Sequence, residues 1–547
     1  MPEKGDGTHF QSICIFEGYF MSEKSVLKSI DLTPREPRPL QMTQPDVLAV
    51  TAALAGLSPA PVTKCRVLEL GCGVGGNLLP MAQGLPESTF FGIDPSASAI
   101  ARAEKTAAGA GLKNIRFEAR DLLGSPAEEN SFDYIIAHGV YHPLNPTDRE
   151  ELLVMIARLL SPDGVAYVSY NIYPGWSGRE MFRDMITRHV QGETDSKSIA
   201  AKAREFIGFL DRHAQTSSES VYASQIRRES SFLNTVPDDY LIHEYLESSP
   251  AAVYFEQFAG DLTRNGLAYV GEVRPNPSRR KLADDLRREQ PGLTENWVTL
   301  EQSLDYVQGG FARRSLLCHA EKPVSRVPHT GVIERLHARC RILPAVKQAN
   351  IRSNEPMPFQ FPDGVVVNIN DVFVKTILVA LARAWPQTMS FDEMVRVIRV
   401  DLQYGENFAA TGSDERVTLM NATDACYAAT LIDLHEHPAV YVQTASEKPQ
   451  ASALARFQAR ESKTVTNVHH ILILNLSKVD RLVLAHLNGA RDRNALIAVL
   501  KAAIAKGILP DSAKDQQAAY EAGLNGSLEK VIEQSLSKLA ADGFLLA

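Results

Sequence analysis

Between Val67 and Asn77 the chain reads Val-Leu-Glu-Leu-Gly-Cys-Gly-Val-Gly-Gly-Asn, an apolar strand that enters a glycine-rich turn and then a helix. Glycines at this turn let a ligand approach the backbone where a side chain would stand in the way. Gly71, Gly73 and Gly76 by themselves also satisfy the spacing of a dinucleotide-binding turn. Three acids break the tie. Glu69, two residues before the first glycine, would repel a pyrophosphate and suits a ligand that ends in an ammonium group. Asp94 closes the second strand, where its carboxylate can accept both hydroxyls of a ribose in either kind of ligand. Asp121 follows the third strand, directly before Leu122, where a carboxylate can accept from an adenine amino group; a dinucleotide fold does not require it. Read blandly, the three are surface acids on loops.

Further chemistry-bearing residues stand at the ends of later strands. The fourth runs from Phe132 through Ala137 into His138-Gly139-Val140-Tyr141. The next ends in Asn171-Ile172-Tyr173-Pro174-Gly175-Trp176, a loop on the sheet edge where ligands of such folds bind. Tyr173 and Trp176 can face a cation through their ring quadrupoles, or simply pack neighbouring helices onto the core. His138 reads equally well as catalytic or structural. His243 and Glu244, set among aromatics in Pro237 to Leu246, form a second acid–base pair, though such pairs are more often helix-surface groups. His469-His470 and His435/His437 lack matched ligands and read as structural.

Elements that position these residues follow from the periodicity. Strands at Arg66 to Leu70, Thr89 to Asp94, Ile115 to Glu118, Phe132 to Ala137 and Gly164 to Tyr170 alternate with helical stretches, which specifies a parallel sheet. An entry helix precedes them, with Val47, Leu48, Val50, Leu54 and Leu57 at helical spacing and Ser58-Pro59 as its stop. Residues 177–237 read as an all-helical insertion. Leu267 to Val273 and Arg314 to His319 then supply antiparallel edge strands, and the core closes near residue 325. A helical region spans Asp371 to Leu434, closed by a strand at Ala439 to Gln443; its order resembles that of the last hundred residues, a weak sign of duplication. There, helices at Lys478 to Leu487, Asn494 to Leu500 and Leu528 to Leu539 outline a winged helix. The domains expected are an irregular leader (1–40), an α/β core (41–176), the insertion as lid or dimer contact (177–237), completion of the core sheet (238–325), a middle helical, winged-helix-like domain (326–445) and a C-terminal one (446–547). Met21 is a second candidate start.

Composition narrows the function classes. With 547 residues the chain exceeds one core and divides into domains. A net charge of -8 argues against a broad phosphate-neutralising surface. The most apolar stretch, Val372 to Trp385, is too short to cross a bilayer and holds Lys375 and Arg383. No signal peptide leads the chain, so a cytoplasmic location is expected. Six dispersed cysteines without a CxxC pair indicate neither disulfides nor zinc.

The set of Glu69, the glycine turn, Asp94 and Asp121 resembles the motifs of class I S-adenosylmethionine (SAM)-dependent methyltransferases. Over nearly the whole chain from residue 40, the resemblance is to a bacterial family joining such a core to a methyltransferase regulatory region and a C-terminal winged-helix-like domain. Outer-membrane-protein lysine methyltransferases are its best-known members. It is carried by Gln44-Pro45-Asp46, Glu69 to Asn77, His138 to Tyr141, Asn171 to Trp176, His243 to Leu246, Arg314 to His319, Ser452 to Arg456 and Gly489 to Arg493. The fold it implies is α/β, a Rossmann-like seven-stranded core with a helical insertion, followed by mainly helical winged-helix-like domains.

The resemblance also implies roles. Glu69, Gly71, Cys72, Gly73, Asn77, Asp94, Asp121, Leu122 and His138 would hold SAM, with Glu69 near the methionine ammonium. His138, Tyr141, Tyr173, His243 and Glu244 are the catalytic candidates, and Asn171, Tyr173 and Trp176 would meet the acceptor. No metal is needed. The expected acceptor is a lysine amine of a protein, an outer-membrane protein among the candidates, with a small-molecule N- or O-acceptor as the alternative. A nucleic-acid-binding regulator with a vestigial core is a third reading, disfavoured by the nearly balanced charges around Arg491 to Leu496. A homodimer through the insertion is expected. Two departures stand out: amine-methylating relatives carry Asn/Asp-Pro-Pro-Tyr/Phe where this chain has His138-Gly139-Val140-Tyr141, and a Tyr/Pro-rich stretch before the first helix is replaced by Pro34 to Leu40, which bears on the acceptor because an N-terminal segment can cover the SAM pocket.

Overall fold

A computed structural model describes residues 37–124, 129–216, 220–247, 252–340, 342–346, 350–361, 364–385, 387–402, 415–438, 440–510, 522–524 and 526–546. Most of the expected leader, residues 1–36, lies outside them.

Seven strands form one sheet: β1 (Arg66–Leu70), β2 (Thr89–Asp94), β3 (Ile115–Ala119), β4 (Phe132–Ala137), β5 (Leu160–Asn171), β6 (Leu267–Glu272) and β7 (Ala312–His319). Their order is β3-β2-β1-β4-β5-β7-β6, parallel from β3 to β5, with β7 antiparallel to both β5 and β6. Each of the seven expected strands is present. The order reverses between β1 and β4, and ligands of open α/β sheets bind at the carboxyl ends of strands flanking such a point.

Side-chain parity builds a core on each face of this sheet. Leu68, Leu70, Ile135 and Ala137 face one side, where they meet α4 (Pro146–Leu159) and α8 (Phe255–Arg264). Val67, Tyr134 and Ile136 face the other, covered by α1 (Pro45–Leu54), α2 (Leu78–Gly84) and α3 (Ala97–Ala110). Local signals set the helix ends: Ser96 caps α3 by accepting from Ala99 N–H, and Gly111 closes it at φ 70°.

After β5 the chain builds α5 (Trp176–His189), α6 (Ser196–Thr216) and α7 (Val221–Thr235), which share their own core of Phe182, Ile186, Ile207, Ile226 and Leu233. A π-helical turn, Leu241–Glu247, seals it with Leu241 and Tyr245. Between β6 and β7 lie α9 (Pro277–Glu289) and α10 (Trp297–Gln308).

The middle region is less helical than expected. It holds two three-stranded sheets beside α11 (Val372–Ala384), α12 (Phe391–Leu402) and α13 (Glu415–Ala428). The closing strand is Asp433–His435, paired with His337–Arg339; of the expected strand at Ala439 to Gln443, Ala439 lies outside the described residues and the rest is irregular. Asp46 of α1 explains the shift, since its carboxylate accepts the Glu436 and His437 N–H groups and lies 2.7 Å from His435 Nδ1, ending the strand there.

At the C-terminus α14 (Ala453–Glu461), α15 (Lys478–His486), α16 (Arg493–Ala505) and α17 (Leu528–Ala541) enclose a third core with Phe544 and Leu545. This winged-helix domain is docked on the α/β core. Leu454 and Phe457 of α14 join the cluster beneath α3, Lys105 pairs with Glu461 at 2.8 Å, and Leu454 N–H donates to Gln83 at 3.1 Å. Gly109 of α3 makes the approach close: a Cβ there would stand 2.0 Å from Phe457 Cε2. Among the described residues no helix is long and apolar enough to cross a membrane.

Candidate functional site

Carboxyl ends of β1, β4 and β5 border a cavity of about 350 Å³. From the sequence-derived candidates it gathers Glu69, Gly71, Cys72, Gly73, Asn77, His138, Asn171 and Trp176. The turn after β1 takes its shape from Gly71, Gly73 and Gly75 at φ 74°, 52° and 73°, a backbone region closed to most side chains. A Cβ on Gly73 would meet nothing within 4 Å, so the turn presents bare backbone to the cavity.

Glu69 is 4% exposed. Its Oε1 accepts from Asn77 Nδ2 at 2.7 Å, while Oε2 is buried without a hydrogen-bond partner among the described residues. Burial pushes its pKa up to about 8, against the lowering pull of the Asn77 bond. A buried carboxylate oxygen without a donor, at the rim of a glycine cradle, suits a ligand carrying a cationic hydrogen-bond donor.

Asn77 is the hub of this corner. Its Nδ2 also donates to Thr43 Oγ1 at 2.8 Å, and its Oδ1 accepts Leu40 N–H at 2.9 Å. His470 of the winged-helix domain lies with Nε2 2.8 Å from the same Oδ1. An amide oxygen only accepts, so Nε2 carries the proton; full burial lowers the His470 pKa to about 3 and keeps the ring neutral. His470, read from the sequence as structural, has its structural role here: it buttresses the glycine turn through Asn77.

Asp94 and Asp121 stand further along the same sheet edge, at β2 and just after β3, and neither lines the cavity. Asp94 accepts Gly73 N–H at 2.8 Å and Ser96 N–H at 2.9 Å, so its carboxylate braces the glycine turn. Exposed Asp121 accepts Leu123 N–H at 3.1 Å, and Leu122 packs against the core instead of the cavity.

At the end of β4, His138 is held through Nδ1, 3.0 Å from the Tyr167 hydroxyl and 3.2 Å from Ser169 Oγ. Gly139 N–H donates to that same Oγ at 2.8 Å. Two aromatics depart from expectation. Tyr141 is fully buried in the core, edge-on to Tyr170 and Phe258, with its hydroxyl donating to Asp261 at 3.1 Å. Tyr173 turns away to donate to Glu180 at 3.1 Å and to meet the Tyr254 ring. Neither lines the cavity. His243 and Glu244 lie in the π turn, but their side chains fall outside the described residues.

The far wall was not legible from the motifs. Arg179 lies over the rings of Phe311 at 3.7 Å and Phe232 at 4.3 Å, 3.4 Å from Glu229, beside Trp176, whose buried Nε1 has no partner among the described residues. His142 adds a second histidine. Pro37 and Arg38 cross the mouth: a Cβ on Gly76 would stand 2.6 Å from Arg38 N, and the Arg38 guanidinium pairs with Asp239 at 2.6 Å, 6.0 Å from the Tyr240 ring centre. Proline spacing around residue 38 marked the segment, but nothing local linked it to Asp239. Among the described residues no group of His, Cys, Asp and Glu is arranged to hold a metal ion.

Comparison with known proteins places this geometry. Residues 67–164 match a family model described as "Methyltransferase domain", residues 237–319 a "Predicted methyltransferase regulatory domain", and residues 447–544 a "PKMT, C-terminal winged helix domain". An uncharacterized protein of Rickettsia prowazekii is 26% identical over 528 residues, 94% of this chain and 93% of that protein. A second from the same organism is 33% identical over 238 residues, 44% of this chain and 95% of that protein. The structure of PKMT2 from Rickettsia typhi superposes with a TM-score of 0.78 at 24% identity, covering 94% of this chain and 100% of that one. Its complex with AdoHcy gives 0.77 at 25%, with the same coverage.

Proposed function

The chain belongs to the SAM-dependent methyltransferases that join a class I core to a methyltransferase regulatory region and a PKMT winged-helix domain, and we propose that it methylates lysine side chains of a protein. The observation that carries this reading is the end-to-end likeness to PKMT2, which extends beyond the core through the regulatory and winged-helix parts. An acceptor as large as a protein gives those added domains a task.

The residues present fit SAM. Glu69 Oε2 awaits a cationic donor, Gly73 leaves the turn open, and Asp94 and Asp121 continue the edge on which a nucleoside would lie. When bound, SAM supplies a methyl group on a sulfonium that is already a good leaving group. The chain's own work is then positioning and deprotonation. A lysine amine near pKa 10.4 is charged at neutral pH, so presenting it neutral costs about 4 kcal/mol. His138 would receive or relay that proton, a role supported by its position at the cavity with Nδ1 held by Tyr167 and Ser169. Asn171 and Trp176, which line the same cavity, would meet the acceptor. The proposal includes a cytoplasmic location and a homodimer; exposed Val221, Tyr222 and Phe209 on α6 and α7 support a self-contact there.

The test is incubation with methyl-labelled SAM and a panel of lysine-containing peptides, alongside the same peptides with norleucine in place of lysine. Methyllysine in the first set alone supports the proposal. Label on neither set, with transfer to small amines, would sink the lysine reading and leave the methyltransferase family intact.

A further inference from the structure

Arg38 is a cation standing in the wall of the cavity. Its guanidinium reaches Asp239 at 2.6 Å across 201 residues of sequence and lies near the Tyr240 ring, and all three residues line the same cavity as Glu69 and His138. The two partners are unequal: the Asp239 side chain is 11% exposed, the Arg38 side chain 38%. A carboxylate so enclosed is stabilised by a cation beside it, and the arginine that supplies it sits on a half-buried segment. That segment, residues 37–40, has no regular secondary structure and is held by Leu40 N–H on Asn77 and by its passage over Gly76.

We propose that Asp239 and Tyr240 form the receiving site for the acceptor's cationic side chain, and that Arg38 occupies it as an internal stand-in until an acceptor arrives. The proposal rests on the lysine-methylating reading above. A carboxylate beside an aromatic ring recognises an alkylammonium through a charge-assisted hydrogen bond and the ring quadrupole. A guanidinium satisfies the same two partners, so Arg38 fills the site without itself being an acceptor amine. Exchange at Asp239 is cation for cation. Competition by Arg38 lowers the apparent affinity by the fraction of time the site is open.

The full-length chain, saturated with S-adenosylhomocysteine, is titrated with n-butylammonium chloride, the chemistry of a lysine side chain, and followed by ligand-observed NMR. Arg38→Ala should bind butylammonium about fivefold or more tighter than the parent. Adding Asp239→Asn should abolish that gain, and n-butanol should show no difference between the proteins. A pair that only staples the segment down predicts a lower melting temperature for Arg38→Ala with butylammonium affinity unchanged. That result, or tight binding that survives Asp239→Asn, overturns the proposal. Methyl transfer to lysine peptides by the parent is a separate measurement, so failure of the lysine reading and failure of this site are told apart.

Discussion

Burial holds Glu69 at a pKa of about 8, against 4.5 when exposed, and this makes it both a binding group and a source of instability. Between those values the folded chain binds more protons than the unfolded one, so ligand-free stability falls as pH rises through the window, by up to about 1.4 kcal/mol per unit. A cationic ligand end reverses the balance: Glu69 ionises on binding, a proton leaves, and SAM affinity should climb from pH 6 to 8. Glu69→Gln should flatten both slopes, raising the ligand-free melting temperature at pH 8 while weakening SAM binding. Calorimetry in buffers of different ionisation enthalpy reads the proton; equal slopes in parent and variant would refute the assignment. At the neighbouring strand end, His138→Ala should lower kcat by about one to three orders of magnitude at saturating SAM. Tyr141→Phe should instead cost about 1 to 3 kcal/mol of stability by leaving Asp261 short of a donor, with near-normal turnover of the folded fraction. Single-turnover rates and melting curves on the same samples separate the two effects, and a large kcat loss in Tyr141→Phe would return that residue to the site.

Elements were more legible than side-chain directions. Strands β1 to β7 announce themselves because β-branched and aromatic runs between turn residues must be buried on two faces, and that pattern is local. Which way Tyr141 points is not local: the residues after β4 bend, and the ring falls into the core against Phe258, over a hundred residues downstream. The strand expected at Ala439 to Gln443 failed for the same reason, since Asp46 captures the backbone at Glu436 and His437. Arg38–Asp239 and His470–Asn77 join residues 201 and 393 positions apart and have no signature in either neighbourhood. Helix α3 offers a test at this scale. Replacing an exposed helical glycine by alanine ordinarily stabilises a helix, by up to about 1 kcal/mol, but a Cβ at Gly109, in the last turn of α3, would collide with the Phe457 ring. Gly109→Ala should therefore destabilise the chain, and Gly109→Ala with Phe457→Ala should recover part of the loss. A more stable single variant would show that α14 is not seated on α3.

For the whole molecule, the docked winged helix alters what truncation should do. Ending the chain near residue 325 leaves the seven-stranded sheet whole, and from sequence such a fragment is expected to keep SAM binding and lose only acceptor docking. The interface argues otherwise: the fragment lacks His470 on Asn77 and uncovers the surface beneath Leu454 and Phe457. It should bind SAM at least about tenfold more weakly, the cost of one or two buried hydrogen bonds, and full affinity in a folded fragment would refute this. His470 adds an acid limit. Neutral when folded and near pKa 6.5 when released, it contributes stability that is present above pH 6.5 and lost as pH falls toward 3.

The position of His470 also sets an order of events during synthesis. A chain leaving the ribosome N-terminus first presents the glycine turn early, since Gly71 emerges some four hundred residues before the histidine that steadies Asn77. Until the last domain has emerged and folded back, the turn stands without that support. Nascent or prematurely ended chains would then hold methyl donor weakly, and tight cofactor retention would mark a polypeptide made to its final domain.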